Sequence, residues 1–302
     1  MTTGVVLMTY GAPAGEADLP RYLAAVRGGR APDPALVTEM ARRYALIGGS
    51  PLIARTVEQA GALERVLGGD HAAAAGMRFS VPSIGEAVAA LADRGATRLV
   101  GICMSPQWSP LLMSGYERDL RAEAERRSLP VALAPAWHRE PCFIEALAGS
   151  VRESLRGIPD AFVVLTAHSL PRRVFDSEPD YIAQLRETGE AVAAAAGLES
   201  ERWRWAYQSA GHTQEDWLRP DLVELFPELA ASGARDLLVA PVQFLADHLE
   251  VLYDLDIAAA QQARSAGLDY HRVAMPNARP EFVAALAEVA RATERSLLAQ
   301  VG

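Results

Sequence analysis

Short apolar runs alternate with longer amphipathic stretches along the whole chain. Val5-Val6-Leu7-Met8 is stopped by Tyr10-Gly11-Ala12-Pro13, the pattern of a buried strand running into a loop. Helical periodicity follows over Glu16–Val26, Pro34–Leu46 and, after Gly48-Gly49-Ser50-Pro51, over Ile53–Leu67. The pattern then predicts a strand at Met77–Phe79, a helix at Ile84–Ala92, and a strand at Arg98–Met104. The loop Ser105–Pro110 leads into a helix at Tyr116–Arg127, followed by a strand at Val131–Ala134 and a helix at Cys142–Leu155.

The second half repeats this rhythm. Strands are predicted at Ala161–Thr166, Arg202–Tyr207 and Asp236–Val242, with helices at Pro179–Ala196, Asp221–Ala231 and Asp247–Arg264 and a last one at Pro280–Leu298. Strands that alternate with longer helices form parallel sheets covered on both faces. Two such series predict an α/β protein of two Rossmann-like domains, residues 1–141 and 142–279, with the helix of 280–302 able to pack back on the first. Ligands of such sheets bind beyond the carboxyl ends of the strands. There the chain places Tyr10, Ser105, His168-Ser169, Gln208-Ser209 and the stretch Gln243–Glu250. No G-x-G-x-x-G or Walker loop follows a strand, so nucleotide binding has no support.

Composition narrows the picture. The net charge of −9 comes with scattered Lys and Arg, which excludes the concentrated basic surface a nucleic acid needs. Two cysteines, Cys103 and Cys142, without C-x-x-C spacing exclude a disulfide framework and a structural zinc site and fit a reducing compartment. No apolar run is long enough to span a membrane and no leader pattern precedes the first strand, so a cytoplasmic protein is expected.

Two segments carry candidate chemistry. Leu165-Thr166-Ala167-His168-Ser169-Leu170-Pro171 delivers a histidine at a strand end, where partial desolvation favours a neutral imidazole able to take a proton or bind a metal. A histidine that merely caps a turn would read the same way. In Ala246–Asp256, Glu250 and Asp254 are four apart on one helical face, with Asp247 a turn earlier. Like charges so spaced are mildly destabilising, which invites a functional explanation, whereas Asp247 suits a solvated helix N-terminus. A hydrolase reading is weaker. Tyr207-Gln208-Ser209-Ala210-Gly211 lacks the first glycine of a nucleophile elbow, although Asp236 or Asp247 with His248 or His271 would nominally complete a triad.

These segments, in this order, resemble the ferrochelatase family over nearly the whole chain. Ala167-His168-Ser169-Leu170-Pro171 is similar to its most specific signature. Met8–Pro13, Arg43-Tyr44 with Ile47–Leu52, Gln208–Gly211 with Trp217-Leu218, Ala246–Tyr253 and Met275–Ala278 resemble its other motifs. The resemblance implies a class II chelatase-like fold and insertion of ferrous iron, a substrate, into a porphyrin. His168 would accept pyrrole protons and contact the metal, with Glu250 as its partner and Asp254 as a lesser one. Arg27-Gly28-Gly29-Arg30 and Tyr10 look most like the Gram-positive branch, which implies coproporphyrin III as substrate, with protoporphyrin IX insertion and a non-catalytic haem carrier as alternatives. Tyr10 would face the metal from the side opposite His168, and Arg27, Arg43, Ser50 and Tyr116 would hold propionates or place the macrocycle. The loop before Ser50 is one residue short, and Ala258 stands where relatives extend the acidic row. Some members carry an iron–sulfur cluster on four cysteines, which two cysteines do not supply. No tightly bound cofactor is expected; a monomer is, with transient contact to neighbouring haem-pathway enzymes.

Overall fold

A computed structural model describes residues 2–211 and 215–301. The first sheet holds β1 (Thr2–Thr9), β2 (His71–Met77), β3 (Ala96–Cys103) and β4 (Val131–Leu133) in the order β2-β1-β3-β4. The second holds β5 (Phe162–His168), β6 (Trp203–Gln208), β7 (Asp236–Pro241) and β8 (Asp269–Arg272) in the order β6-β5-β7-β8. Every pairing is parallel. Between the strands of the first half run α1 (Leu19–Val26), α2 (Pro34–Leu46), α3 (Leu52–Leu67), α4 (Ile84–Asp93) and α5 (Pro110–Arg126). The second half carries α6 (Pro141–Leu155), α7 (Arg172–Ser177), α8 (Pro179–Ala196), α9 (Leu222–Ala231), a π-helix at Glu250–Ala259, α10 (Ala260–Ser265) and α11 (Pro280–Val301).

Strand side chains alternate between faces, and both faces are buried. In β1, Val5 and Leu7 join one core while Val6 and Met8 join another beneath α4 and α5. In β5, Val163 and Leu165 point to the first core and Val164 to a third, against Phe226 and Leu255. The first core is shared: Val5 and Leu7 of one sheet and Val163 and Leu165 of the other belong to a single cluster with Phe143 of α6 and Phe282 of α11. A fourth, small cluster under α1 and α2 stands apart, built on Leu19, Tyr22 and Leu23.

Several expected boundaries move. The predicted strand at Met77–Phe79 is in fact the end of His71–Met77, whose run of four alanines is a strand because its neighbour pairs with it, not by propensity. β8 and α7 were not foreseen, and α5 begins at Pro110, capped by the Ser109 side chain. The helix expected over Asp247–Arg264 is wound as a π-helix for ten residues before it becomes α. Its buried residues Val251, Leu255 and Ala259 recur every four positions, which turns Glu250 and Asp254 together toward the adjoining stripe.

The last helix, α11, packs against α3, β3 and β4 of the first half and α6 of the second. Glu294 pins it to the first sheet: Thr3 Oγ1 donates to its Oε1, His71 Nε2 stands 3.0 Å from Oε2, and Arg98 is 3.8 Å away. Burial pushes this carboxyl up, but the Thr3 and His71 hydrogen bonds prevail and hold it below the ordinary glutamate range. A depressed pKa gives stability that is full above the unfolded value of about 4.3 and is lost as pH falls through the folded one. Glu294→Gln is therefore expected to destabilise the protein by about 1.5 kcal/mol near neutrality. The urea midpoints of the two proteins should converge as pH drops below about 4; a constant difference would show that the carboxylate charge is not what matters.

Candidate active site

The carboxyl ends of the strands bring the predicted residues to one region. His168 is the last residue of β5, paired in register with Gln208 of β6. Its backbone N–H donates to Gln243 Oε1 at 2.7 Å, and Gln243 Nε2 in turn donates to the buried Tyr181 hydroxyl at 2.8 Å. Ser169, fully buried, anchors the turn that follows: its N–H donates to the Gln208 carbonyl (2.7 Å) and its hydroxyl to the Leu218 carbonyl (3.0 Å). Ser169 thus ties the segment Ala167–Pro171 to both Gln208 and Leu218.

The ring of His168 is oriented by its neighbour. Nδ1 lies against the Ser169 carbonyl, an acceptor only, so Nδ1 carries the hydrogen and the Nε2 lone pair is left facing Glu250 Oε2 at 3.6 Å. His248 repeats the arrangement. Its Nδ1 is 3.0 Å from the Ala246 carbonyl and its Nε2 is 3.8 Å from the same Glu250 oxygen. Two imidazole Nε2 atoms therefore converge on one carboxylate oxygen. With the rings neutral, three acceptors share one point and draw a proton or a cation, and a proton taken up by either ring is held against Glu250. Burial pushes the Glu250 carboxyl up, but the His168 charge and then the His248 hydrogen bond and charge outweigh it and hold it at about 2.

Asp254 lies one turn along the π-helix, where burial pushes its carboxyl above the ordinary range. Arg43 Nη1 reaches it at 3.4 Å while Arg43 Nε holds Glu39 at 2.7 Å, and the guanidinium covers the Tyr253 ring at 4.8 Å. So α2 is tied to the π-helix across the site. Between them opens a cleft of about 640 Å³ bordered by Pro13, Tyr44, Gly48, Ser50 and Leu252. Its size suits a ligand far larger than a metal ion.

The remaining predicted residues divide. Tyr10, after β1, is 43% exposed with its ring edge-on to Phe79 at 4.7 Å, and burial on its inner side raises its hydroxyl pKa. Ser50 lines the cleft and accepts the Leu52 N–H at 3.4 Å, one residue short of the expected loop yet still at its wall. Arg27, exposed at the end of α1, makes no ion pair among the described residues. Tyr116 is 7% exposed, packed in the core of the first half beneath the Arg78 guanidinium at 5.4 Å.

Sequence reasoning named His248 only as a nominal triad member and did not see it as a partner of Glu250. It also missed Arg78, whose guanidinium lies over the rings of Phe79 and Tyr116 and whose charge acts on Tyr10. Reading the strand as His71–Met77 would have shown Arg78 at a carboxyl end. The hydrolase triad does not assemble: His271 pairs with Asp236 at the start of β7, a strand length from Ser209, and His248 faces Glu250.

The ferrochelatase family model matches residues 2–294. Similar proteins include the ferrochelatase of Deinococcus radiodurans, 37% identical over 95% of this chain and 94% of its own length. The coproporphyrin III ferrochelatase of Bacillus subtilis is 35% identical over 95% and 96%. Among solved structures, SirB from Bacillus subtilis with Fe3+ superposes with a TM-score of 0.56 at 14% identity, covering 97% of this chain and 96% of that one, a likeness of fold. The chain belongs to the ferrochelatase family, enzymes that insert iron into a porphyrin. The two four-stranded parallel sheets flanked by helices are the chelatase fold the resemblance led one to expect.

The His248 contact has a measurable consequence. His248→Ala removes one of the two imidazoles that hold Glu250 down, so the carboxyl should titrate above its value of about 2. Carbon NMR of glutamate-labelled protein reads this directly; an unmoved titration would show that His168 suffices alone.

Proposed function

We propose that the protein inserts ferrous iron into coproporphyrin III in haem biosynthesis, with His168 and Glu250 as the central pair. The observation that carries this reading is the approach of His168 Nε2 to Glu250 Oε2 at 3.6 Å, on the same π-helix whose Leu252 borders a cleft of macrocycle size. Metal insertion must strip water from the ion and remove two pyrrole protons. An imidazole whose lone pair faces the site is a suitable base, and a carboxylate ionised at neutral pH attracts the cation. Two protein ligands hold iron less firmly than a closed four-ligand site, so it can pass on to the ring. Asp254, paired with Arg43, is a weaker candidate for relaying protons or metal.

Coproporphyrin is favoured over protoporphyrin by relatives such as the coproporphyrin III ferrochelatases of Bacillus subtilis and Geobacillus kaustophilus, the latter 36% identical. In this reading the ring enters the cleft between α2 and the π-helix. Tyr10 faces the metal from the side opposite His168, Arg27, Arg43 and Ser50 hold propionates or shape the wall, and Tyr116, buried beneath Arg78, acts from the core behind. Arg27 is the best-suited propionate partner, since it has no competing carboxylate among the described residues, whereas Arg43 already holds Glu39 and Asp254. A division into units 1–141 and 142–279, with α11 as a strap across both, belongs to the same reading. So do a monomeric cytoplasmic enzyme, passing contacts with neighbouring haem-pathway enzymes, and the lack of a cluster that needs four cysteines. Among the described residues no helix is long and apolar enough to cross a membrane.

His168→Ala and Glu250→Gln should each abolish most insertion while porphyrin binding, followed by fluorescence quenching, persists. Turnover of either folded variant near the wild-type rate would remove that residue from the mechanism. Wild-type protein that stops after one equivalent of product would instead be a carrier.

Arg27→Ala should weaken use of coproporphyrin, with four propionates, more than that of protoporphyrin, with two. Losing a charged hydrogen bond costs about 1.5–3 kcal/mol, roughly a 10- to 150-fold change. Equal losses in kcat/KM on the two porphyrins would show that Arg27 does not read the extra carboxylates. A wild-type preference for protoporphyrin would overturn the choice of substrate.

A further inference from the structure

The segment that delivers His248 and Glu250 runs from residue 242 to residue 249, between β7 and the π-helix, and regular structure does little to place it. Two amide side chains from distant parts of the chain do. Gln59, on α3 and fully buried, turns its Nε2 to two backbone carbonyls at once, that of Leu245 at 3.0 Å and that of Asn277 at 2.9 Å. Two acceptors fix which way the amide points, because the flipped amide would set its oxygen against both carbonyls. The price is a Gln59 oxygen left buried without a hydrogen bond among the described residues.

Asn277 completes the clamp. Its Oδ1 accepts the Asp247 N–H at 3.0 Å, its Nδ2 donates to Asp247 Oδ2 at 2.8 Å, and its own N–H donates to the Leu245 carbonyl at 3.0 Å. It does so from a backbone φ of 45°, a left-handed conformation that asparagine tolerates better than most residues. Asp247 immediately precedes His248 and stands three residues before Glu250. The helix that supplies Gln59 begins at Leu52, directly after the Ser50-Pro51 wall of the cleft. One rigid element of the first half therefore both borders the cleft and grips the segment that carries the carboxylate.

We infer that Gln59 and Asn277 are positioning residues for metal insertion, setting the distance of Glu250 from His168 through the segment from Leu245 to Asp247. Neither is in hydrogen-bonding contact with His168 or Glu250 among the described residues. This rests on the catalytic roles of His168 and Glu250 proposed above. A carboxylate displaced by a fraction of an ångström remains charged and solvated as before, yet no longer meets the metal together with the imidazole. The effect should thus fall on turnover and on iron rather than on porphyrin binding.

Gln59→Met keeps the length of the side chain and deletes its donor. Asn277→Gly deletes the clamp and accommodates the positive φ. Each is compared with wild type and with Glu250→Gln in steady-state insertion of ferrous iron into coproporphyrin III, well below the melting temperature. The expected result is a fall in kcat of about 10- to 100-fold, of the size seen for small misplacements of reacting groups. The iron KM should rise while the porphyrin KM stays within about twofold. Asn277→Asp, which keeps the acceptor for the Asp247 N–H but sets a second carboxylate against Asp247 Oδ2, should show a loss of the same kind. Wild-type kcat in the folded variants, with only a lowered melting temperature, would overturn the inference, as would a loss confined to porphyrin KM. If Gln59→Met does not fold, Asn277→Gly decides by the same criteria. A Glu250→Gln protein with wild-type kinetics would sink the catalytic reading instead, so the two failures are separable.

Discussion

Everything at this site depends on a mismatch: with both rings neutral, three acceptor atoms, from His168, His248 and Glu250, point at one another without a hydrogen between them. Backbone carbonyls create it. By taking the Nδ1 hydrogens, Ser169 and Ala246 turn both Nε2 lone pairs toward the carboxylate. A protein designed only for stability would pair such groups with donors, since unmatched polar atoms are costly. Here the deficit is filled by whatever positive charge arrives. In the proposed reaction a proton leaving a pyrrole and an incoming metal ion are both such charges, so one cluster would serve both halves of it.

The fold exists to hold this mismatch open. Parallel strands end together, and their carboxyl ends gather Tyr10, His168, Ser209 and Gln243 without any need for these residues to be near in sequence. The π-helix contributes the other side. Its buried residues Leu255 and Ala259 pack with those of the second sheet, which turns the adjoining acidic stripe of Glu250 and Asp254 toward the site. π-Helical turns recur at functional sites because the wider winding departs from the ordinary spacing of side chains.

Much of this was legible in the sequence. The alternation of apolar runs and amphipathic stretches led to two parallel sheets because burial on both faces leaves continuous apolar strands such as Val163–Leu165. His168 and Glu250 stood out by position, one at a strand end and one on an acidic stripe. What stayed hidden depends on contacts rather than on pattern. The alanine run of β2 carries no strand signal of its own and is recruited by pairing with β1. The π winding cannot be told from an α-helix by periodicity over ten residues. That Arg43 meets Asp254, more than two hundred residues on, is a fact of tertiary structure alone. His248 was visible but weighed only for a hydrolase triad, because its place beside Glu250 depends on the carbonyl behind its ring.

The shared hydrophobic core has a mechanical corollary. Because residues of both sheets, α6 and α11 form one continuous cluster, the halves cannot swing apart like a clamshell without exposing Phe143, Phe282 and the strand residues around them to water. Ring entry and product exit must be managed with the sheets stationary. The part whose displacement would expose the least shared core is the α1–α2 hairpin, which packs on a small cluster of its own and is moored to the π-helix by Arg42 at the Tyr253 hydroxyl and Arg43 at Asp254. Lifting that hairpin would break the Arg42 and Arg43 ties to the π-helix and, on its inner side, the Tyr22 hydroxyl's bond to the Gly11 carbonyl and the Arg21 bond to the Phe79 carbonyl.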